Sequence, residues 1–309
     1  LDGLRLSLLG LGLERGDEVI VPAATFVATW EAVTQAGGRP VPVDVEEEDY
    51  GLDPKATEAA LTPRTRALLP VHLYGQLANM RSLRVLAARH DLRLVEDACQ
   101  AHGAERDGFR AGAGGDAAAF SFYPAKNLGA MGDAGALVTA DADLAARVRA
   151  LREHGQTAKY RHTFEGYTAR LDAIQALVLA AKLPLLDGWN AERRAAARFY
   201  REALAGVGDL RLPPVASGSD PVWHVFVVRT GDPDALAAHL AHAGVMTGRH
   251  YPEPPHLSGA YSHLGFSEGA FPVAEALARE GLSLPLFPGV SEEQLTHVCE
   301  SVVDFFARG

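Results

Sequence analysis

Hydrophobic and polar positions along the first half of the chain predict repeated strand–helix units. Short β-rich runs alternate with longer segments whose apolar residues recur at helical spacing, which is typical of a mainly parallel sheet with helices on its faces. The predicted strands are Glu18–Val21, Pro40–Val43, Ala67–Val71, Leu92–Glu96, Ala117–Ser121 and Gly135–Thr139. The predicted helices are Leu1–Leu13, Phe26–Ala36, Pro54–Leu61 and Met80–His90. Ligands of such sheets bind at the carboxyl ends of strands, so we expect the chemistry there.

The pattern changes after residue 139, where longer helices and a second group of elements are predicted. In chain order these are helices over Asp141–Glu153 and Asp172–Arg201, a linker over Arg211–Asp220, a strand over Trp223–Arg229, and helices over Asp232–Ala243 and Ser291–Ala307. The linker is rich in Pro, Gly and Ser, which favour irregular structure. We therefore predict a large domain over residues 1–205 and a smaller C-terminal α/β domain over residues 206–309.

Composition and charge exclude several classes of partner. The 309 residues carry a formal charge of -10, and nucleic acids and anionic membranes both favour clustered positive charge. No stretch reaches the roughly 20 apolar residues that span a bilayer. The two cysteines, Cys99 and Cys299, lack metal-ligand spacing and fit a reducing compartment. We expect a cytoplasmic protein that binds neither nucleic acid nor membrane.

Lys126 is a candidate reactive amine. Only four lysines occur, at positions 55, 126, 159 and 182, and Lys126 lies between a predicted buried strand and a glycine-rich turn. An exposed lysine has a pKa near 10.4 and is mostly protonated, whereas burial lowers that value and suits the amine to Schiff-base chemistry. A solvated surface lysine is the simpler alternative.

Asp97 closes the strand Leu92–Glu96 and is the candidate partner of a buried cation. A carboxylate at the end of a strand often caps the next helix, which is the structural alternative. The functional alternative is that it holds the proton of a pyridine nitrogen, as pyridoxal-phosphate (PLP) chemistry requires. Asp97 and Lys126 follow strands of one predicted sheet, so we expect both at the same edge.

The segments that contain these two residues, Val95–Ala104 and Phe120–Gly129, resemble the signature pair of the nucleotide-sugar aminotransferase family. Further matching segments are Pro22–Thr29, Leu69–Gln76, Gly166–Gln175 and His250–Leu257. The resemblance implies the aspartate-aminotransferase type of PLP fold (fold type I) and a PLP cofactor. It also implies that the chain is a fragment, because family members have an N-terminal segment, with a turn that binds the cofactor phosphate, before the position of Leu1.

The resemblance assigns cofactor roles to six residues. Lys126 carries PLP as a Schiff base and Asp97 pairs with the pyridine nitrogen. Gln100 lies near the ring 3-oxygen, Ser121 binds the phosphate, and Phe26 stacks on the ring. Core packing is the alternative for Phe26. Thr168 occupies a position where asparagine is usual in the family and donates to the phosphate across a dimer interface, and threonine has a shorter reach.

Substrate contacts are implied for five further residues. His154, Tyr160 and His162 lie in a polar loop that in the family enters the active site of the partner subunit, so the resemblance implies a homodimer with shared active sites. A solvated loop is the alternative. His250 and Tyr251 are expected at the substrate mouth. The spacing of the histidines at 250, 256 and 263 matches no metal-ligand pattern, so no metal is predicted.

The implied reaction is transamination of a nucleotide-linked keto-sugar, with L-glutamate as donor and 2-oxoglutarate as product. Dehydratase relatives replace the lysine with histidine, so Lys126 favours transamination. The segments around Trp30, Tyr74 and Tyr251 are most similar to the branch that aminates dTDP-linked 3-keto-6-deoxyhexoses at C3, with 4-keto-hexoses next. A non-catalytic sugar-nucleotide binding or regulatory protein and an amino-acid aminotransferase are the alternatives.

Overall fold

The computed structural model describes residues 1–308 as helices and strands joined by short loops. The helices are α1 Asp2–Gly10, α2 Ala28–Gln35, α3 Pro54–Ala59, α4 Met80–Arg89, α5 Ala142–Leu151, α6 Ala173–Lys182, α7 Leu186–Ala203, α8 Pro233–His242, α9 Pro272–Glu280 and α10 Glu292–Arg308. Short 3-10 helices occur at Leu73–Gly75, Leu183–Leu185, Pro255–Leu257 and Gly259–Leu264. Among these residues, no helix has the length and apolar character needed to cross a bilayer.

Two sheets contain the principal strands. These are β1 Glu18–Pro22, β2 Arg39–Val43, β3 Thr65–Leu68, β4 Arg93–Asp97, β5 Ala117–Ser121, β6 Gly135–Val138, β7 Phe226–Arg229 and β8 Gly281–Leu284. Very short strands at Glu105–Arg106, Phe109–Arg110, Gln156–Ala158, Arg161–His162 and Ser219–Asp220 form small ribbons.

The central sheet has the strand order β2-β1-β3-β4-β5-β6, parallel except for β6, which runs antiparallel to β5. Both of its faces are covered. In β1, Val19 and Val21 pack into a core that includes Trp30 of α2, whereas Ile20 points to the opposite face and packs with Leu83 of α4. Two buried faces explain why the strands read as continuous apolar runs. The predicted mainly parallel sheet flanked by helices is confirmed.

A second core forms in the C-terminal part of the chain. Strands β7 and β8 pair antiparallel, from Phe226 opposite Leu284 to Arg229 opposite Gly281. Tyr200 of α7 belongs to this core together with residues of α8 and α10. Helix α7 thus reaches into the second unit, and the predicted domain boundary at residue 205 stays a prediction.

The single helix predicted over Asp172–Arg201 is wrong. The structure has two helices, α6 and α7, separated by the 3-10 turn Leu183–Leu185. Pro184 explains the break, because proline lacks an N–H donor and its ring clashes with the preceding helical turn. The prediction also missed α9 and β8, since Gly281 joins them directly without a loop that would mark the boundary.

Candidate active site

Asp97 ends β4 in the middle of the central sheet. It pairs with Ala119 of β5 on one side and bridges to Val71 on the other, so three chain segments meet at this edge. Its carboxylate is buried, and it accepts hydrogen bonds of 2.8 Å from Thr29 Oγ1 and 3.2 Å from the Cys99 N–H. Both donors are neutral, so the carboxylate retains capacity to pair with a cation.

Lys126 lies in the loop that follows β5. Gly129 is required in this loop, because a Cβ atom there would lie 2.3 Å from the carbonyl oxygen of Pro124. Burial lowers the pKa of the Lys126 amine below its usual range, while the Cys99 and Asp97 groups nearby oppose the shift. A part-buried amine that loses its proton more easily suits Schiff-base chemistry, as expected from the sequence.

His224 also lies beside Lys126, although the local sequence does not indicate a site residue at this position. Its Nε2 lies 3.4 Å from Lys126 Nζ and its Nδ1 lies 3.2 Å from Asn127 Oδ1. Its backbone N–H donates to the carbonyl of Tyr74 at 2.8 Å, which ties the segment before β7 to the central sheet. Burial, followed by the charge of Lys126, holds the pKa of His224 well below its usual range. The only indication in the local sequence is a histidine next to Trp223, at the start of the predicted strand Trp223–Arg229.

Gln100, Tyr251 and Phe26 form a second group at this edge. Gln100 Oε1 accepts a 2.7 Å hydrogen bond from the Tyr74 N–H, and its Nε2 donates to Tyr251 Oη at 3.2 Å. Burial, followed by the charge of Asp97, raises the pKa of Tyr251 to about 12, so the phenol keeps its proton at neutral pH. The Phe26 ring lies 5.2 Å from the Tyr251 ring and is 51% exposed. Such exposure argues against core packing and leaves the ring available for stacking.

His250 and Ser121 complete the set of predicted residues around Lys126. His250 Nδ1 lies 2.7 Å from Ser283 Oγ, and burial followed by the charge of Lys126 lowers the His250 pKa. Ser121 ends β5, and its Oγ accepts a 3.3 Å hydrogen bond from the Tyr123 N–H, which leaves its hydroxyl proton for another acceptor. Within residues 1–308, no cluster of three or more His, Cys, Asp or Glu side chains has an arrangement that holds a metal.

The remaining predicted residues lie in a surface loop, residues 153–168, which we call the His154 loop. Thr168 Oγ1 lies 3.2 Å from His154 Nε2, and His162 Nδ1 lies 2.9 Å from the His154 carbonyl oxygen. Tyr160 is 82% exposed. In the part of the chain that the structure describes, none of these four side chains hydrogen-bonds to the group around Lys126.

Comparisons with known proteins agree with this picture. A family model for the DegT/DnrJ/EryC1/StrS aminotransferase family matches residues 2–303. The chain is 54% identical over 297 residues to the erythromycin biosynthesis sensory transduction protein EryC1 of Saccharopolyspora erythraea, covering 96% of this chain and 81% of that protein. It is 51% identical over 308 residues to a dTDP-3-amino-3,4,6-trideoxy-alpha-D-glucose transaminase of Streptomyces venezuelae, covering 100% of this chain and 81% of the relative.

Solved structures have the same fold. The crystal structure of S. venezuelae DesV in complex with a ketimine intermediate superposes with a TM-score of 0.97 at 51% identity, covering 100% of this chain and 83% of that one. A Brucella abortus DegT/DnrJ/EryC1/StrS aminotransferase gives a TM-score of 0.94 at 36% identity, covering 99% and 83% of the two chains. The predicted fold class and family are therefore confirmed.

Proposed function

We propose, from the premise that this chain belongs to the DegT/DnrJ/EryC1/StrS aminotransferase family, that it aminates C3 of a dTDP-linked keto-6-deoxyhexose, with L-glutamate as donor. The observation that carries the proposal is the placement of part-buried Lys126 and buried Asp97 at one edge of the sheet. Relatives named as dTDP-3-amino-sugar transaminases, from S. venezuelae, Micromonospora megalomicea and Aneurinibacillus thermoaerophilus, are 51%, 45% and 43% identical and support C3 and dTDP. A 36% identical GDP-perosamine synthase of Caulobacter vibrioides is more distant.

The residues at this edge fit PLP, the cofactor on which the family depends. Asp97 is a buried carboxylate bound only by neutral donors in the contacts above, which suits it to a protonated ring nitrogen. Lys126 supplies the amine, Ser121 a hydroxyl donor for a phosphate, and the half-exposed Phe26 a face for stacking. Gln100 stands beside them through its hydrogen bond to Tyr251.

Asp97 and Lys126 have different chemical roles, the first through its charge and the second through proton transfer. When bound, PLP supplies an electron-accepting ring that stabilises negative charge on the carbon next to the transferred nitrogen. Asp97 keeps the ring nitrogen protonated through its own negative charge. Lys126, as a free amine, would take a proton from one carbon and return it to another. Because burial lowers its pKa, a larger fraction of Lys126 is the free base at neutral pH.

We also propose a homodimer whose two copies share their active sites, with the His154 loop of each copy serving the other. Two observations support it. Within residues 1–308, the side chains of His154, Tyr160, His162 and Thr168 make no hydrogen bond to the Lys126 group of their own chain. Helix α6 and the turn after it also carry an exposed apolar face, formed by Ile174, Leu177, Leu183 and Leu185. An exposed apolar patch of this kind is typical of a surface that another protein covers.

A second candidate function is sugar-nucleotide binding without turnover, in a regulatory protein. It is favoured by the names of two relatives, the EryC1 protein above and a pleiotropic regulatory protein of Geobacillus stearothermophilus that is 43% identical over 307 residues. A binding protein has no need of a reactive amine, so the part-buried Lys126 with a lowered pKa favours catalysis.

The experiment that tests the proposal is a visible spectrum of the purified protein with added PLP, before and after L-glutamate. We expect an absorbance band that bleaches with L-glutamate and returns with a dTDP-linked 3-keto-6-deoxyhexose. Lys126→Ala should give no band, whereas Lys55→Ala, at an exposed lysine of α3, is the matched control. A band that does not bleach would favour the regulatory candidate. Return of the band only with 2-oxo acids would favour an amino-acid aminotransferase.

A further inference from the structure

A line of buried amides leads from α7 to the Lys126 amine. Asn190 Nδ2 donates to the carbonyl oxygen of His102 at 2.8 Å, and Asn190 Oδ1 accepts from Asn127 Nδ2 at 3.0 Å. Asn127 Nδ2 also donates to the carbonyl oxygen of Val222 at 2.9 Å. Both asparagines are buried, at 1% and 4% exposure, so each amide is held by protein partners.

The two backbone carbonyls fix the direction of every group in this line. A carbonyl oxygen can only accept, so the Asn127 atom that faces Val222 must be the NH2 group. Asn127 Oδ1 therefore faces His224 Nδ1, at 3.2 Å, and requires a proton there. A neutral His224 then has an unprotonated Nε2, which lies 3.4 Å from Lys126 Nζ. Catalytic hydrogen bonds are often this long before substrate binds.

We propose that His224 is a positioning residue. Asn127 sets its tautomer, and in that tautomer Nε2 orients the Lys126 amine by accepting a hydrogen bond from one of its N–H groups. The inference rests on the proposed function, in which Lys126 acts as a free amine. A neutral primary amine has two N–H donors and one lone pair. With one N–H held by Nε2, the lone pair stays available to take the proton. The opposite tautomer donates to that lone pair and removes the base.

The surroundings of His224 keep its ring neutral. The groups whose charges act on it are Lys126, Arg193, His250 and His102, all of which are cations or become cations on protonation. Arg193 Nη1 also donates to the His224 carbonyl oxygen at 3.2 Å. Protonating His224 is disfavoured first by its removal from water and then by the positive charges of Lys126, when protonated, and Arg193. Nε2 therefore remains an acceptor at neutral pH.

The first test determines the tautomer in the cofactor-free protein labelled with 15N-histidine. We expect the His224 signals, identified by their loss in His224→Asn, to show a protonated Nδ1 and an unprotonated Nε2 at neutral pH. A proton on Nε2, or on both nitrogens, would overturn the proposal. This NMR measurement does not depend on turnover, so it decides the tautomer even if no PLP band forms and the proposed function fails.

The second test uses a pair of variants in the PLP-loaded protein. His224→Asn keeps a donor toward Asn127 but has no acceptor near the position of Nε2, whereas His224→Gln has an amide oxygen that reaches it. In single turnover at saturating L-glutamate, we expect bleaching to slow by about 10- to 100-fold in His224→Asn. His224→Gln should recover most of the rate, with the half-saturating donor concentration unchanged. Equal loss in both variants, or a change confined to donor binding, would show that His224 has only a structural role.

Discussion

Around Lys126 the predicted site residues are mostly buried or part-buried and form hydrogen bonds to residues far away in sequence, whereas in the His154 loop they are exposed and bonded to one another. His224 lies 98 positions from Lys126 and still contacts it. Thr168 and His162, by contrast, bond within 14 positions to His154. The first region has the fixed geometry that proton transfer needs. The second presents its polar side chains to solvent.

The His154 loop nevertheless has a defined structure. A Cβ at Gly155 would lie 1.7 Å from the Phe164 carbonyl oxygen, so the loop is folded tightly on itself. His154 and Tyr160 adopt positive φ angles of 59° and 61°, which cost energy in residues other than glycine. A loop that keeps such a shape while exposing its polar side chains is consistent with the proposed homodimer.

The largest effect is expected when the charge at Asp97 is removed with Asp97→Asn. Asparagine preserves the size of the side chain and an acceptor for Thr29, but it cannot hold a cation by charge. We expect kcat to fall by about 100- to 1,000-fold, measured as the rate of bleaching at saturating L-glutamate.

A second aspartate provides the control for this substitution. Asp44 accepts hydrogen bonds from the N–H groups of Val273 and Ala274 at the start of α9. Asp44→Asn should therefore cost about 1 kcal/mol of stability and leave kcat unchanged. If Asp97→Asn behaves like Asp44→Asn, Asp97 caps structure and has no role in the chemistry.

The next prediction concerns pH and His102, which is 4% exposed and lies against Phe120. Burial, followed by the charge of Lys126, lowers the pKa of His102 to about 4. The unfolded chain binds this proton near pH 6.5, so between these values the unfolded state holds more protons than the folded state. The contribution to stability is therefore complete above pH 6.5 and falls as the pH drops toward 4, by about 3 kcal/mol.

Urea unfolding at pH 7, 6 and 5 measures this effect. We expect His102→Leu to lose less stability than the wild type over that range, because leucine has no proton to bind. His263→Gln, at an exposed histidine, is the control and should follow the wild type. Parallel pH profiles for His102→Leu and the wild type would contradict the prediction.

Local patterns predicted the central sheet and the residues within its motifs, and they failed where position depends on tertiary contacts. The strand Ala117–Ser121 was predicted with its observed bounds, and Asp97 and Lys126 lie at one edge as expected. His224 belongs to a distant segment, and only the fold brings it to Lys126. The break at Pro184 is a different failure, because the proline is visible in the sequence while the helical pattern continues on both sides of it.

The smallest expected effect is a partial return of activity when two inactive variants are mixed. It tests whether the His154 loop serves a second copy of the chain. Lys126→Ala and His162→Ala should each inactivate a homodimer, the first through the amine and the second through the loop. In a mixed dimer, shared sites place both lesions in one site and leave the other intact. Random mixing makes half of the dimers mixed, and each has one intact site of two, so about a quarter of wild-type activity should return.

If the loop instead acts within its own chain, each copy keeps one lesion in its own site and mixing restores nothing. A substitution on the exposed face of α6 tests separately whether association of the two copies is needed for activity. Leu177→Asp places a charge on the apolar surface, so light scattering should show monomers and activity should fall, although Leu177 is exposed and remote in sequence from Lys126. Recovery in the mixture together with loss in Leu177→Asp would mean that the two regions form one site only across the dimer.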